Sequence, residues 1–154
     1  MEVYRIAQEK YAEDLSGNGA RLYGGRWNSE NIFALYVSSS RSLALLETLA
    51  HAPAKMLLYK NYQLVSLQIP EESIESVNPE SLPAQWNQAD SRKITRIVGD
   101  RFLLGKNNFL LAVPSVIIPE EKNYVINPLH PLSQKIKILH KRKIDFDNRV
   151  VANL

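Results

Sequence analysis

The strand-like and helix-like segments of this chain do not follow a regular alternating order, and that irregularity limits the folds open to it. Apolar runs predict strands at residues 3–6, 33–38, 62–69, 109–113, 124–126 and 135–139, with 116–118 extending the fourth. Helical spacing predicts helices at 40–51, capped by Ser40, and at 91–105. Without repeated strand–helix–strand units, the order predicts an α+β fold with a mixed β-sheet and flanking helices.

Length and composition predict a single domain that spans residues 1–154. Hydrophobic residues make up 45% of the chain and charged residues 23%, close to the average for globular proteins. The absence of cysteine excludes a disulfide framework, a thiolate zinc site and a cysteine nucleophile. The three histidines, His51, His130 and His140, have no metal-ligand spacing, so metal catalysis is not expected.

The N-terminal segment has no charged-then-apolar leader, and no apolar stretch is long enough to cross a bilayer. These features predict a cytoplasmic protein that does not contact membranes. The net charge is +3, and the basic residues concentrate at 135–143. Since no aromatic residue lies among them to stack on bases, we interpret this run as the solvated face of a strand, or as an edge strand protected by lysines, rather than an RNA-binding stripe.

A glycine-rich loop at residues 16–28 contains the first candidate for chemistry. Gly24 and Gly25 allow the backbone to approach a ligand closely, and Arg26 beside them can bind a phosphate or carboxylate in a bidentate manner. The spacing matches neither a dinucleotide-binding fingerprint nor a P-loop. On composition alone, a tight turn with a solvated arginine is the more common arrangement.

The predicted helix 40–51 carries a carboxylate within its apolar arc. At about 100° per residue, Glu47 falls between Leu43 and Ala44, and His51 follows one turn later on the same flank. Tyr36, on the preceding strand, is expected to reach the same neighbourhood. A carboxylate in apolar surroundings is either paired for structure or retained for function, and the sequence leaves both open.

Two polar residues near prolines are weaker candidates. Ser115 follows Pro114 at a strand end without the Gly-x-Ser-x-Gly pattern of a hydrolase nucleophile, so a turn serine is the usual interpretation. Asn127 precedes Pro128, which indicates a turn first and a ligand contact second.

The order and spacing of these motifs together resemble the RES family, which is named for an arginine, a glutamate and a serine. The similarity spans Tyr4 to Arg149, and residues 29–31 depart from it where a glycine is expected in the turn. It is carried by Tyr4-Arg5-Ile6, Gly19-Ala20-Arg21-x-x-Gly24-Gly25-Arg26-Trp27-Asn28, Ala34-Leu35-Tyr36, Leu43-Ala44-Leu45-Leu46-Glu47, His51, Val113-Pro114-Ser115, Asn123-Tyr124, Asn127-Pro128 and Phe146-Asp147-x-Arg149.

The resemblance implies the toxin of a type II toxin–antitoxin pair, with a fold similar to ADP-ribosyltransferase toxins. The implied partner is a helix-turn-helix (Xre-like) antitoxin that covers the active site and represses the operon. Direct nucleic-acid binding is then expected only through the antitoxin complex. Family members deplete NAD⁺ by hydrolysis or phosphorolysis, and some transfer ADP-ribose to protein. NAD⁺ is thus implied as a substrate, with no further cofactor and no metal.

Carried onto this sequence, the resemblance implies a core site of Arg26, Tyr36, Glu47 and Ser115. Arg5, His51 and Asn127 are the implied supporting residues for substrate binding. We expect Glu47 to stabilise positive charge on the ribose, the arginines to hold the pyrophosphate, Tyr36 to stack on the nicotinamide end, and Ser115 to hydrogen-bond the nicotinamide ribose. The alternatives are a basic RNA-binding or RNA-cleaving toxin and an inactive binding module, and the acceptor of the ADP-ribosyl group stays open.

Overall fold

A computed structural model describes all 154 residues and contains one seven-stranded sheet with five short to medium α-helices. The strands are β1 (Glu2–Gln8), β2 (Leu35–Ser38), β3 (Tyr62–Gln68), β4 (Ile74–Ser76), β5 (Leu110–Pro114), β6 (Lys122–Ile126) and β7 (Lys137–Ile144). The helices are α1 (Asn18–Tyr23), α2 (Arg41–His51), α3 (Ala54–Tyr59), α4 (Arg92–Gly105) and α5 (Asn148–Val151). The expected α+β class with a mixed sheet and flanking helices is confirmed.

The sheet has the strand order β4-β5-β6-β2-β1-β3-β7, and only the β4–β5 pair is parallel. Alternate residues of β5 and β6 enter two different core clusters, because successive side chains on a strand point to opposite faces. Leu110 and Ile126 belong to one cluster. Leu111 and Val125 belong to the other, which α4 covers with Phe102. The central strands are therefore covered on both faces.

Helix α2 begins where the sequence predicts. The hydroxyl of Ser40 accepts a hydrogen bond from the backbone N–H of Leu43 at 3.0 Å, which satisfies one of the free donors of the first turn. Leu43 and Ala44 are buried, as the predicted apolar face requires. This helix lies against the central strands β1 and β2.

Strand β7 lies at one edge of the sheet, and all its residues except Ile144 are exposed. This confirms the interpretation of the lysine-rich run as a protected edge strand. Its predicted bounds were wrong at both ends, since Pro131–Lys135 forms a 3₁₀ turn and the strand continues to Ile144. The proline start favours a helical turn over an extended strand at that point.

Other parts of the structure also differ from the sequence-based expectation. Residues 16–28 are not entirely loop, because they contain α1 between Gly17 and Gly24, which both have positive φ. Residues 116–118 do not extend β5, since the hydroxyl of Ser115 accepts the N–H groups of Ile117 and Ile118 and turns the chain. Residues 71–89, for which the sequence predicts no strand, contain β4, and Trp86 in this segment is buried. None of the helices is long and apolar enough to span a membrane.

Candidate active site

A cleft of about 1130 Å³ lies between the glycine-rich loop, the first two strands and α2. Five of the residues expected at the site line it, namely Arg5, Arg26, Tyr36, Glu47 and His51. Residues that are spread over the sequence from Arg5 to His51 thus line one cleft. Ser115 and Asn127 lie outside the lining and are described below.

The buried side chain of Asn28 holds the glycine-rich loop in place through hydrogen bonds. The amide of Asn28 donates to the carbonyl oxygens of Ala20 and Ile32, both at 2.9 Å, and its Oδ1 accepts the hydroxyl of Tyr36 at 2.7 Å. The same tyrosine oxygen accepts the N–H of Trp27 at 3.0 Å. A side chain at Gly25 would collide with the tyrosine hydroxyl, which explains the glycine there. Asn28 was not predicted as a site residue.

Burial raises the pKa of Tyr36 well above its ordinary value, so this phenol stays neutral at physiological pH. Its hydroxyl is committed to Asn28 and to the backbone of Trp27. The part of Tyr36 that is available to a ligand is therefore the ring, which lines the cleft.

Helix α4 clamps the outer side of the glycine-rich loop. Thr95 donates to the carbonyl oxygen of Arg26 at 2.5 Å, and Arg96 donates to that of Gly25 at 2.8 Å. Asp100 accepts both the backbone N–H and the hydroxyl of Ser29. A β-carbon on Gly99 would overlap the carbonyl oxygen of Trp27, so the helix and loop approach as closely as backbones can.

The loop continues through Asn31, where the RES resemblance leads one to expect a glycine. Asn31 has φ of +71°, in the left-handed region that asparagine tolerates better than most residues. Asparagine therefore replaces glycine here without loss of the turn.

Arg26 reaches into the cleft from this fixed loop. Its Nη1 donates to the carbonyl oxygens of Trp86 and Gln88 at 3.3 and 3.2 Å, and its buried Nε has no protein partner. Burial is the main cause that lowers the pKa of Arg26; nearby Arg92 adds to this, and the Glu47 carboxylate opposes it. Because a partly desolvated cation attracts an anion strongly, Arg26 is suited to hold a phosphate.

A second arginine lines the cleft from β1. Arg5 donates to the carbonyl oxygen of Asp14 at 2.7 Å. Burial lowers the pKa of Arg5, and the Asp14 carboxylate opposes that effect. The pKa of Asp14 is lowered mainly by its hydrogen bonds with Ser16. The cleft therefore holds two arginines, each anchored to a backbone carbonyl.

Glu47 is the only carboxylate of the α2 face within the cleft, and its side chain is 19% exposed. Its Oε1 accepts two hydrogen bonds, from the hydroxyl of Ser115 at 2.8 Å and from Nδ2 of Asn123 at 2.6 Å. Its Oε2 lies 3.9 Å from Nδ1 of His51. The apolar arc thus holds a carboxylate that neutral donors stabilise, rather than one buried in an ion pair with lysine or arginine.

His51 lies at the exposed side of the cleft, next to Glu47. Its Nδ1 donates to the carbonyl oxygen of Glu47 at 2.8 Å, since a carbonyl can only accept. In the neutral ring the other nitrogen, Nε2, is then an acceptor. His51 is thus able to contact a ligand at the mouth of the cleft.

Ser115 lies behind Glu47 and is completely buried. Its hydroxyl donates to Glu47 and accepts the N–H groups of Ile117 and Ile118, both at 3.1 Å. No donor is left for a ligand, so the expected direct bond to a ribose is replaced by an indirect role. Ser115 reaches the cleft only through the carboxylate that it holds.

Asn127 is a buried turn residue and does not line the cleft. Its amide donates to the carbonyl oxygen of Leu103 at 3.1 Å, and its Oδ1 accepts the N–H of Leu129 at 3.1 Å. With both ends of the side chain used inside the fold, Asn127 is a structural residue and not the substrate contact suggested by the sequence.

Asn123 is the cleft residue that the sequence did not single out. It stood in the RES-like motif without a role, because its partners lie far away in the chain, at Glu47 and Ser38. No group of three or more acidic or histidine side chains is placed to hold a metal ion.

Comparison with known proteins shows which family the chain belongs to. The sequence profile described as the RES domain matches residues 2–147. A protein named "Prs ADP-ribosylating toxin" from Sphingobium sp. is 40% identical over 91% of this chain and 88% of its own length. A "Toxin Res" from Photorhabdus laumondii is 37% identical over 98% of this chain and 97% of its own.

A solved structure has the same fold. The toxin–antitoxin complex MbcT–MbcA of M. tuberculosis contains a chain that superposes with a TM-score of 0.79. The match covers 99% of this chain and 87% of the other, at 18% sequence identity. At that identity the likeness concerns the fold.

Proposed function

This chain belongs to the RES-domain family, and on that premise we propose that it is the toxin of a toxin–antitoxin pair which cleaves the nicotinamide–ribose bond of NAD⁺. The observation that carries the proposal is the juxtaposition of Glu47, held by two neutral donors, with the desolvated Arg26 in one cleft. The name of the Sphingobium relative, an ADP-ribosylating toxin, points to the same chemistry.

The proposed reaction needs one negative charge near the ribose. When the bond between nicotinamide and ribose breaks, its electron pair goes to the nicotinamide nitrogen, and positive charge spreads over the ribose as in glycoside hydrolysis. Nicotinamide leaves as a neutral molecule, so no general acid is required. The fixed carboxylate of Glu47 stabilises the developing charge, directly or through a ribose hydroxyl.

The remaining cleft residues bind and orient the dinucleotide. Arg26 and Arg5 hold the pyrophosphate, because both are anchored by backbone carbonyls and retain further N–H donors. The ring of Tyr36 packs on the nicotinamide end and keeps the leaving group aligned. His51 contacts the ligand at the mouth, while Ser115 keeps Glu47 in place.

The acceptor of the ADP-ribosyl group defines the enzyme class. Water would make the protein a glycohydrolase, inorganic phosphate a phosphorylase, and a protein side chain an ADP-ribosyltransferase. The size of the cleft, about 1130 Å³, leaves room for an acceptor beside the dinucleotide. NAD⁺ is the substrate in all three cases.

We also propose an antitoxin that covers this cleft, with a helix-turn-helix (Xre-like) DNA-binding part. Support comes from exposed apolar side chains on the cleft lining, since large apolar groups around a polar site are typical of a protein interface. Tyr23 is 79% exposed, and Tyr11, Leu22 and Met56 are exposed beside it.

The test is to incubate the purified chain with NAD⁺ and to identify every product by mass spectrometry, with and without phosphate and with a bacterial protein extract. We expect free nicotinamide in each case, together with ADP-ribose, ADP-ribose 1″-phosphate or modified protein according to the acceptor. If NAD⁺ stays intact at high enzyme concentration in all three mixtures, the proposed function is wrong.

A further inference from the structure

The two oxygens of the Glu47 carboxylate have different surroundings. Oε1 accepts hydrogen bonds from Ser115 and Asn123 at 2.8 and 2.6 Å. Oε2 has no hydrogen bond within the protein and lies 3.9 Å from Nδ1 of His51. That nitrogen already donates to the backbone of Glu47. One oxygen is therefore held, and the other is left for a ligand.

The donor from Asn123 depends on a buried serine. Ser38 on β2 and Asn123 on β6 are directly opposed in the antiparallel register. The hydroxyl of Ser38 donates to Oδ1 of Asn123 at 2.6 Å, and Ser38 is only 5% exposed. Cross-strand neighbours of this kind are held close by the backbone ladder, so the serine is fixed by the sheet itself.

Chemistry permits only one orientation of the Asn123 amide. Rotated by half a turn, Oδ1 would face the carboxylate oxygen of Glu47 at hydrogen-bond distance, and two acceptors would meet with no proton between them. The hydroxyl of Ser38 then has to donate to Oδ1, because the amide N–H is directed at Glu47. A continuous donor chain therefore runs from Ser38 through Asn123 to Glu47.

Ser115 and Asn123 both donate to Oε1 of Glu47, but different contacts hold the two side chains in place. Ser115 is completely buried, and its oxygen also accepts two backbone N–H groups. Asn123 is half-buried, lines the cleft, and has its amide held between Ser38 and Glu47. Of the two donors to Oε1, Asn123 is therefore the one that lies at the cleft.

We propose that Ser38 and Asn123 form a positioning pair that holds Oε1 of Glu47 and thereby presents Oε2 to the ribose of the bound dinucleotide. This inference rests on the proposed function and deepens it. A carboxylate whose orientation is set before the reaction stabilises the charged transition state without first having to rearrange. Neither Ser38 nor Asn123 forms a bond to substrate in this account.

The first test compares two substitutions of Asn123 that should differ in how their activity changes with pH. In Asn123→Ala the donor is lost, and kcat for nicotinamide release falls roughly 10- to 100-fold with little change in KM, as for a lost hydrogen bond to a charged group. Alanine adds no ionisable group, so the activity relative to wild type does not rise as the pH is lowered. The charged or titratable groups near Glu47 include His51 and Arg26, and both remain in the variant.

Asn123→Asp has the same shape as the wild-type residue but places a second carboxylate against Oε1 of Glu47. At neutral pH the two charges repel, and activity is low. When the pair takes up a proton, the Asp O–H donates to Glu47 and restores the lost bond. Activity relative to wild type therefore rises as the pH is lowered. A purely structural role of Asn123 would not give the two variants different pH slopes.

A second pair of variants tests Ser38 without touching Asn123. Ser38→Ala removes the hydrogen bond that holds Oδ1 of Asn123, so the amide is fixed less firmly against Glu47, and we expect a fall of kcat of roughly 5- to 10-fold, since the effect is indirect. Ser38→Thr keeps the hydroxyl and should recover most of the activity. Ser39→Ala, at the exposed neighbouring position, is the matched control and should match wild type.

The outcomes separate this inference from the proposed function. If the wild-type protein releases no nicotinamide, the proposed function is wrong and the pair loses its role with it. If wild type is active, the positioning role is overturned by Asn123 variants with unchanged kcat, by parallel pH slopes, or by a loss confined to KM. Should the Asn123 variants fail to fold, as judged by thermal unfolding, the Ser38 series decides: Ser38→Ala with wild-type kcat overturns the proposal.

Discussion

The protein carries positive charge in two regions and surrounds it differently in each. In the cleft, Arg5 and Arg26 are partly buried, each donates to backbone carbonyls, and burial lowers both pKa values. On β7, the basic side chains are exposed, and Lys141 and Lys143 form surface ion pairs with Glu13 and Asp145 at 2.9 and 3.2 Å. The two regions differ in desolvation, since the cleft arginines are partly buried and the basic side chains of β7 are exposed.

This difference shows where a ligand is expected to bind. Keeping a cation out of water costs free energy unless an anion compensates for it, so the cleft arginines indicate a site for a phosphate-bearing ligand. Exposed lysines cost almost nothing and discourage other strands from pairing with the open edge. The basic strand therefore protects an open sheet edge, and the cleft is where the proposed chemistry is expected.

The largest expected effect comes from removing the negative charge of Glu47 in the cleft. In Glu47→Gln the shape stays, but the charge that would stabilise the ribose is lost, and we expect kcat to fall roughly 100- to 1,000-fold. Nicotinamide release by the purified variant is the measurement. Glu30→Gln, at an exposed position, is the control. Retention of more than a tenth of wild-type kcat by Glu47→Gln would contradict the assigned role.

The next largest effect concerns the clamp between α4 and the glycine-rich loop. Gly99→Ala forces a methyl group into the carbonyl of Trp27, and we expect the free energy of unfolding to fall by about 1–3 kcal/mol. Urea denaturation measures it. Gly105→Ala, in the same helix, has no neighbour nearer than 3.9 Å to the new carbon and should leave stability unchanged or slightly raised. Equal stabilities for the two variants would show that the clamp does not hold the loop.

A smaller effect distinguishes the two kinds of arginine. Lysine keeps the charge of Arg26 but cannot make the bidentate contact, so Arg26→Lys should raise KM for NAD⁺ roughly tenfold with a smaller change in kcat. Arg142→Lys on β7 is the matched exchange in the other region, and its kinetics should equal those of wild type. If Arg142→Lys changes KM as much as Arg26→Lys does, the distinction between the regions fails.

The smallest expected effect is on β7 itself. Lys141→Gln with Lys143→Gln removes two exposed ion pairs, and we expect the free energy of unfolding to change by less than about 0.5 kcal/mol, with unchanged nicotinamide release. Chemical denaturation and steady-state kinetics on the double variant check both. A large kinetic loss would place part of the function on this strand.

Local patterns predicted the elements that position the site. The cap at Ser40 and the apolar face around Leu43 were enough to place Glu47 on one flank of α2. The concentration of basic residues at 135–143 was enough to predict a solvated strand. Such features depend on residues within one or two turns or along one strand, which a single sequence displays directly.

The partners of the site residues could not be predicted, because they are distant in the chain. Asn123 is 76 positions from Glu47, and Thr95 is 69 positions from Arg26. Nothing in the local sequence around Asn123 shows which strand lies opposite it. Ser115 was expected to contact a ligand, but the turn after β5 occupies its hydroxyl. β4 escaped prediction because three residues carry too little pattern.

The central claim is that the cleft binds and cleaves NAD⁺ and that the basic strand β7 neither binds nor cleaves RNA. The most direct measurement is to incubate the wild-type protein with NAD⁺ and total RNA in one tube and to quantify nicotinamide and RNA length together. For the wild-type protein we predict that the nicotinamide released equals the NAD⁺ lost and that the RNA stays intact. For Glu47→Gln we predict that nicotinamide release is abolished and that the RNA again stays intact. Fragmented RNA alongside intact NAD⁺ would contradict the account and support an RNA-cleaving toxin.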